Sequence, residues 1–365
     1  MKIVRNGSLY RLYRGDVQIL EKIPAQTYIV RYSTQEGFYL EQYAELNLRE
    51  QKVYGTQHEA KTEKVLKRFK QFTFNYGIIL YGNKGIGKSL FLRMLGNKAV
   101  KQGYPVIVVD EYVQGLHAFI EEIKQEVVVL FDEFDKKFSN ENGGAQSTLL
   151  SLLDGLSDGK KMFVVTCNNY NNLSEYMINR PGRFHFQITL SYPSATEVMI
   201  YLKDNLNENY WKEIPKIVSF ASKVSLNYDC LRAIVFEIQQ GGETFETAIE
   251  DLNIVNTEAA GYNIFLKFHD GTVLSGYDRL DLFDSRVETV WLSSSYGDSY
   301  FAGVKFAPKA AIYDTTTGNL IIPPNQFTIK YRDNGAKEEQ IEKIKNLKPV
   351  KLEIVRAQEK NIHYE

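Results

Sequence analysis

Short apolar runs alternate with helical patterns through the middle of this chain. The runs at residues 78–81, 105–109, 127–131 and 162–165 are typical of buried strands. Between them, apolar side chains recur at helical spacing, as in Leu90, Phe91, Leu92, Met94 and Leu95, in Leu116, Phe119, Ile120 and Ile123, and in the leucines from 149 to 156. This alternation predicts a mainly parallel sheet covered on both faces, with ligands at the carboxyl ends of its strands.

The patterns on either side of this region are different. Residues 1–50 suggest short strands at 28–32 and 38–43, and residues 57–72 suggest a helix. Residues 192–255 have a helical pattern. From residue 262 onward, alternating segments separated by glycine and proline turns predict a small all-β region.

The most informative stretch follows the first buried run. Gly82-Asn-Lys-Gly-Ile-Gly-Lys-Ser89 fits the pattern G-x-x-x-x-G-K-[ST] between a strand and a helix. Glycines let backbone N–H groups surround a phosphate, Lys88 can reach the β- and γ-phosphates, and Ser89 can ligate Mg²⁺. The alternative is a chance glycine turn. The predicted nucleotide contacts are Gly82, Asn83, Lys84, Gly85, Ile86, Gly87, Lys88, Ser89, Leu90 and Tyr54.

Tyr54 is the least specific of these contacts. It precedes the helix that leads into the strand, where its ring is able to lie against a base. A packing role for the same ring is the alternative.

Polar residues end two further strands. Asp132 and Glu133 follow the run at 127–131, and Asn168 and Asn169 follow the run at 162–165. Beside a phosphate loop, Asp132 would support Mg²⁺ and Glu133 would orient the attacking water. Asn168 would hydrogen-bond that water or the γ-phosphate, although an Asn-Asn pair also forms loops.

Composition sets broad limits. The 365 residues suffice for two or three domains, and 44% apolar with 24% charged residues is ordinary for a soluble globular protein. No apolar run approaches the ~20 residues of a membrane span, and no signal-peptide pattern opens the chain. Cys167 and Cys230 lie in apolar stretches without metal-ligand spacing, which favours buried free thiols in a reducing compartment. We therefore expect a cytoplasmic location and no membrane partner.

The net charge of −1 gives no overall attraction to nucleic acid. A local excess of basic residues lies in the predicted helix at Lys61, Lys64, Lys67, Arg68 and Lys70. This spacing is more typical of a solvated helix face than of a surface that follows phosphates.

Together, these segments resemble the AAA family of P-loop ATPases. The similarity runs in order over about residues 53–255, through the sequences GNKGIGKS, FDEFD, LLSLLDGL, VVTCNN and NRPGR. The last three resemble the second region of homology that separates the AAA clade from other P-loop ATPases. Phage-encoded AAA proteins look closest, with VYG before the core, an FDEF acidic strand and an NRPGR turn, which would place the protein in a host cytoplasm.

The resemblance implies an α/β fold: a P-loop NTPase αβα sandwich with a small helical lid, an N-terminal mixed region and a C-terminal all-β domain. We expect an N-terminal β-rich domain at 1–52, the nucleotide-binding core at 53–191, the lid at 192–258 and a β-rich accessory domain at 259–365.

The resemblance also implies site residues and partners. ATP and Mg²⁺ would be the ligands, and Asn168 would sense the γ-phosphate. Arg180 and Arg183 would be arginine fingers that enter a neighbouring subunit's site, which implies a homo-oligomeric ring, usually of six.

Two further positions correspond to family features with ordinary alternatives. Tyr112 and Val113 fall where ring ATPases carry a pore loop, but Gln114 interrupts the usual triplet and a packed turn is the alternative. Arg232 in the lid corresponds to a second sensor, with a surface ion pair as the alternative.

Three functions agree with this sequence. The first is a ring that remodels or threads a protein substrate. The second is a nucleic-acid motor or loader in phage replication, repair or packaging, and the third is a nucleotide-switched assembly scaffold.

Overall fold

The computed structural model describes residues 2–43, 54, 56–138, 145–154, 159–178, 181–252, 254, 260–294, 300–314, 316–331, 342 and 344–357. The chain divides into two compact units, residues 1–191 and 192–365. No helix in the described ranges combines the length and the apolar character that crossing a membrane requires.

The first unit alternates strands and helices in its central part. Its strands are β1 (Lys2–Asn6), β2 (Leu9–Tyr13), β3 (Thr27–Ser33), β4 (Gly37–Gln42), β5 (Tyr76–Tyr81), β6 (Val106–Val109), β7 (Val127–Phe131), β8 (Lys161–Cys167) and β9 (Phe184–Thr189). Its helices are α1 (Thr56–Gln71), α2 (Lys88–Lys101), α3 (Leu116–Glu121), α4 (Phe134–Lys137) and α5 (Ala145–Asp154).

Seven of these strands form one sheet in the order β4-β3-β6-β7-β8-β5-β9 within the described part of the unit. The strands from β3 to β9 pair in parallel, and β4 adds an antiparallel edge. Every side chain of β5 except Tyr81, and every one of β7 and β8, is buried, as expected when both faces of a parallel sheet are covered. The predicted parallel α/β core is therefore present, and the carboxyl ends of β5, β7 and β8 lie side by side.

The N-terminal segment differs from the sequence prediction. Instead of a separate domain at 1–52, the structure places β3 and β4 in the core sheet, where residues 27–29 pair with residues 106–108. Without β3, the apolar strand β6 would present an unpaired edge, so the addition covers it. The hairpin β1–β2 forms a two-stranded sheet of its own.

The second unit begins with helices and ends with strands. Its helices are α6 (Ala195–Asn205), α7 (Ile214–Lys223), α8 (Tyr228–Gly241) and α9 (Phe245–Asp251). Its strands are β10 (Ala260–Phe268), β11 (Val273–Leu280), β12 (Glu288–Ser294), β13 (Tyr300–Phe306), β14 (Ile312–Tyr313), β15 (Leu320–Ile322), β16 (Phe327–Tyr331) and β17 (Pro349–Arg356).

These strands form an antiparallel sheet in the order β14-β15-β17-β10-β11-β12-β13-β16. The result agrees with the all-β region that the sequence predicts from residue 262 onward. Helix α7 contacts this region directly: the Phe220 and Phe283 rings lie 5.8 Å apart, and Lys223 Nζ donates to the Lys309 carbonyl at 3.4 Å. The predicted lid and accessory domain thus belong to one compact unit.

Candidate active site

The loop after β5 requires glycine at several positions. Gly82, Gly85 and Gly87 have φ values of 152°, 74° and 96°, which residues with a Cβ rarely adopt. A Cβ on Gly82 would also lie 2.5 Å from the Leu190 carbonyl oxygen. The loop is anchored by Ile86, which is buried, so its path is fixed by both backbone conformation and packing.

Helix α2 begins immediately after this loop. Gly87 is its N-cap and provides no side-chain hydrogen bond to the first turn. The free N–H groups of a helix start, with the positive end of the helix dipole, favour a bound anion. This donor set fits a phosphate group.

Lys88 places a cation directly over the loop. Its Nζ donates hydrogen bonds to the Gly82 and Asn83 carbonyls, both at 2.6 Å, and to Oδ1 of Asn168 at 2.8 Å. Burial lowers the pKa of Lys88, and the negative charge of Asp132 opposes this effect. An ammonium held in this way is the group that contacts β- and γ-phosphates in P-loops.

Asp132, which directly follows β7, lies beside the start of α2. Its Oδ2 accepts a hydrogen bond from Ser89 Oγ at 2.9 Å. The predicted metal pair, Ser89 and Asp132, is therefore assembled from α2 and β7. A hydroxyl and a carboxylate beside a phosphate loop are the oxygen ligands that suit Mg²⁺.

Glu133 has an unusual backbone conformation. With φ 55° and ψ 44°, it is the one residue other than glycine with a positive φ in the described ranges. Its carboxylate forms an ion pair with Lys136 at the surface. A strained residue at a candidate reaction centre is consistent with a functional requirement for that conformation.

Asn168 and Asn169 have separate tasks. The Asn168 side chain contacts Lys88, while Asn169 Oδ1 accepts from Asn171 N at 3.0 Å and caps a short 3-10 helix. Asn169 thus fits the loop-forming alternative, and the sensor role of Asn168 stays a prediction.

Two buried residues that the sequence did not single out complete the arrangement. Asp135 Oδ2 accepts from the backbone N–H groups of Asn168 and Asn169, at 2.9 and 3.0 Å. Thr166 Oγ1 donates to Asp132 Oδ1 and accepts from Glu133 N, both at 2.7 Å. The only sequence signals were their positions, in the motif FDEFD and just before Cys167, and neither implies these contacts.

The cysteine next to this network is chemically quiet. Cys167 is fully buried, and burial together with Asp135 raises the pKa of its thiol to about 12. A thiol that stays protonated is neither a nucleophile nor a ready metal ligand. It is a packing residue of the site, as the sequence predicted, whereas Cys230 is only partly buried because it lies on a helix face that is not fully covered.

Of the two predicted arginine fingers, Arg183 is among the residues that the structure describes. Arg183 Nη1 donates to the Tyr176 carbonyl at 3.2 Å, and the Arg183 carbonyl accepts from Gly77 N at 2.6 Å. Arg180 lies outside the described residues. Their role in a neighbouring subunit remains a prediction.

The remaining predicted residues lie in ordinary surroundings. The Tyr112 ring is half-buried, and its centre lies 6.3 Å from the centre of the Phe138 ring. The Val113 carbonyl accepts a hydrogen bond from Leu116 N. Both contacts favour the packed-turn alternative. Tyr54 is half-buried. Arg232, on α8 of the second unit, pairs with Asp229 at 3.4 Å. None of these contacts decides the predicted roles.

Comparison with known proteins finds a family match over the region that contains Lys88, Asp132 and Asn168. Residues 78–192 match the family "ATPase family associated with various cellular activities (AAA)". The "ATPase family gene 2 protein" of Schizosaccharomyces pombe is 26% identical over 143 residues, which cover 35% of this chain and 18% of that protein.

Two other relatives show the same partial similarity. An "AAA ATPase forming ring-shaped complexes" of Corynebacterium jeikeium is 25% identical over 156 residues, covering 36% of this chain and 30% of that protein. The "26S proteasome regulatory subunit 7 homolog" of Saccharomyces cerevisiae is 27% identical over 214 residues, covering 52% of this chain and 46% of that protein. The chain thus spans less than half the length of each of these relatives.

Residues 78–192 are therefore similar to AAA-family ATPase domains, and the relatives that share this similarity include proteins named as ATPases. The matched region is narrower than the 53–255 expected from the motifs. The phage resemblance remains a prediction, since these relatives come from yeasts and a bacterium.

Proposed function

From the AAA-family domain and the contacts at its strand ends, we propose that this chain binds ATP with Mg²⁺ and hydrolyses it. One observation carries the proposal: two consecutive residues at the start of α2 bond to the carboxyl ends of two neighbouring parallel strands, Lys88 to Asn168 and Ser89 to Asp132. Four residues predicted from three separate motifs thus converge where open α/β sheets bind their ligands.

The proposed roles follow from charge and position. The amides of the loop and the Lys88 ammonium bind and orient the phosphates, while Ser89 and Asp132 hold Mg²⁺. Bound Mg²⁺ neutralises part of the phosphate charge. Glu133 acts as the base that orients the attacking water, and Asn168 holds that water or the γ-phosphate by hydrogen bonding.

Glu133 needs one change before it can act in this way. Its carboxylate is paired with Lys136 on the surface, and the pair is about two-fifths exposed on each side. Exposed ion pairs contribute little stability, about 0–1 kcal/mol. Rotation of the Glu133 side chain away from Lys136 is therefore an accessible step.

We further propose that the chain works as a homo-oligomeric ring, with Arg180 and Arg183 completing a neighbour's site. The support is the motif resemblance and a relative named for its ring-shaped complexes. Guanidinium groups supplied by a neighbour can increase phosphoryl-transfer rates by about 10³–10⁵-fold. A ring of six is the usual arrangement in the resembled family.

For the work that hydrolysis performs, we propose remodelling or threading of a protein substrate. One relative is a proteasome regulatory subunit, and the near-neutral net charge gives no general attraction to nucleic acid. A nucleic-acid motor would depend on the basic face of α1. There, Lys61 is half-buried, with its pKa lowered by burial, and Lys64 Nζ lies 5.5 Å from the centre of the Phe186 ring. These contacts leave less of that face for phosphates.

The test measures ATP hydrolysis by purified protein alone, with casein, with single-stranded DNA and with double-stranded DNA, while the oligomer is sized in ATP and in ADP. Stimulation by casein supports the proposed substrate class. Stimulation by DNA with a steep salt dependence supports the nucleic-acid alternative instead. Very slow turnover with nucleotide-dependent oligomer size supports the scaffold. Absence of hydrolysis in every assembly state contradicts the ATPase proposal itself.

A further inference from the structure

Thr166 occupies a central position in the core sheet. It lies on β8, paired with Leu80 of β5, one residue beyond the pair of Phe131 and Val165 that joins β7 to β8. It is completely buried. Its hydroxyl therefore sits between the phosphate-loop strand and the acidic strand, where a buried polar group must find partners inside the protein.

Both partners of this hydroxyl belong to the acidic strand end. Oγ1 donates to Asp132 Oδ1 at 2.7 Å and accepts from Glu133 N at 2.7 Å. A threonine hydroxyl has one proton to donate, and Thr166 donates it to Asp132. One side chain thus contacts the carboxylate of one acidic residue and the backbone of the next.

The contact to Asp132 divides the work of its two oxygens. Thr166 and Glu133 N occupy Oδ1, and Oδ2 faces Ser89 Oγ. With Oδ1 held from β8, the carboxylate cannot rotate freely, and Oδ2 stays directed toward the start of α2. Groups that hold a metal-binding carboxylate in this manner tune how well it binds the ion.

The contact to Glu133 stabilises a disfavoured backbone conformation. A glutamate at φ 55° is disfavoured, so the surrounding structure must hold it. Its N–H bonds to Thr166 Oγ1 at 2.7 Å and, more weakly, to Asp132 Oδ1 at 3.1 Å. The left-handed turn sets the direction in which the Glu133 side chain leaves the strand.

We propose that Thr166 is a positioning residue for ATP hydrolysis. Its hydroxyl orients the Asp132 carboxylate toward Ser89 and holds Glu133 in the turn that directs its carboxylate. This inference rests on the proposed ATPase function and assigns to Thr166 no contact with nucleotide.

The central variant is Thr166→Val, which keeps the shape of the side chain and removes the hydroxyl. We expect kcat to fall by about tenfold to a hundredfold and the Mg²⁺ concentration for half-maximal activity to rise. Losses of this size are typical when a residue that hydrogen-bonds to a metal ligand is removed. Affinity for ATP should change by less than about threefold, because the loop and Lys88 are intact. Thr166→Ser retains the hydroxyl and should keep kcat within about twofold of wild type.

A matched control is Thr62→Val. Thr62 is equally buried, and its hydroxyl donates to the His58 carbonyl at 2.7 Å, within α1. It tests whether loss of any buried threonine hydroxyl has the same effect. We expect its kcat and Mg²⁺ dependence to stay within about twofold of wild type, even where the thermal midpoint falls.

A second readout does not need hydrolysis. Hydrogen–deuterium exchange in the nucleotide-free protein should show faster exchange of residues 131–138 in Thr166→Val, and wild-type exchange in Thr166→Ser. Wild-type protein that neither binds nor hydrolyses ATP contradicts the proposed function. The exchange result still tests the role of Thr166 in that case.

Unchanged kcat, Mg²⁺ dependence and exchange in a folded Thr166→Val protein would overturn the inference. So would a Thr166→Ser protein as impaired as Thr166→Val, because the methyl group rather than the hydroxyl would then matter. Where Thr166→Val does not fold, the serine variant decides. Wild-type turnover and exchange in Thr166→Ser support the inference, and their loss in the folded variant overturns it.

Discussion

Lys88 Nζ lies 2.8 Å from Oδ1 of Asn168, although 80 positions separate the two residues. The contact joins the phosphate loop to the end of β8. Asn168 is able to make it because its own N–H is bonded to the buried carboxylate of Asp135 at 2.9 Å, which fixes the main chain and leaves the amide side chain for Lys88. A phosphate bound to Lys88 would therefore also lie close to the Asn168 side chain.

Glu133→Gln should retain ATP binding and lose turnover. The amide keeps the size of the side chain but cannot act as a base, so the effect should appear in kcat and not in the affinity for nucleotide. Binding is measured by titration calorimetry and turnover by phosphate release. Glu126→Gln is the matched control, since Glu126 precedes the same strand at its opposite end and pairs with Lys160 at 3.1 Å. Undiminished hydrolysis in Glu133→Gln would remove Glu133 from its proposed role.

Gly82→Ala should abolish ATP binding and lower the free energy of unfolding by about 1–3 kcal/mol, because its Cβ would meet the Leu190 carbonyl in a backbone conformation unsuited to alanine. Gly103→Ala is the control, because it introduces the same kind of backbone strain without a collision of the added Cβ with another residue. Gly103 has φ 92° with open space around it, so about 1–2 kcal/mol of strain and unchanged ATP binding are expected there. Chemical denaturation and calorimetry provide the measurements. Equal ATP binding in the two variants would contradict the described loop.

Cys167 should resist alkylation by iodoacetamide at pH 8 in the folded protein. With its pKa raised to about 12, the reactive thiolate is about 10⁻⁴ of the population. The half-exposed Cys230 should react first, and Cys230→Ser protein should be nearly inert until it is unfolded. Mass spectrometry of labelled peptides checks this, and rapid labelling of Cys167 would show that the site is more open than described.

The same thiol affects stability at high pH. Its ordinary pKa of 9.0 applies to the unfolded chain, so between 9.0 and about 12 the unfolded state binds fewer protons than the folded state. The contribution of Cys167 to stability therefore falls as pH rises through that range. Cys167→Ala should remove this part of the pH dependence.

Mixing experiments test sites shared between subunits. Arg183→Ala and Lys88→Ala should each reduce ATPase activity, the first because a neighbour's site lacks its guanidinium and the second because its own site lacks the ammonium. Mixed rings contain some interfaces with an intact Lys88 on one side and an intact Arg183 on the other. Partial recovery of phosphate release on mixing is therefore expected, and no recovery at any ratio would argue against fingers acting across subunits.

The sequence predicted those parts of the site that are local along the chain. The phosphate loop needs closely spaced glycines and a lysine between a strand and a helix, and the acidic residues directly follow an apolar run. Such patterns are readable because the residues that define them are neighbours in sequence. The contact between Ser89 and Asp132 depends in addition on the order of the parallel strands, which the structure supplies and the sequence pattern does not.

Contacts between distant segments could not be predicted in this way. The bond of Thr166 to Asp132 spans 34 positions, and that of Asp135 to Asn168 spans 33. Each depends on strand register, because a shift of one residue would turn every side chain of the strand to the opposite face of the sheet. The pairing of β3 with β6 was missed for the same reason, because an apolar strand pattern does not name its partner.

The most direct test of this account is the binding of ATP with Mg²⁺ to the purified chain, compared between wild type and Lys88→Ala. Lys101→Ala is the control, since Lys101 is an exposed lysine at the other end of α2. We predict saturable binding at one site per chain that is lost in Lys88→Ala and kept in Lys101→Ala. Absence of any affinity for ATP with Mg²⁺ in every assembly state, or equal binding by all three proteins, would contradict it.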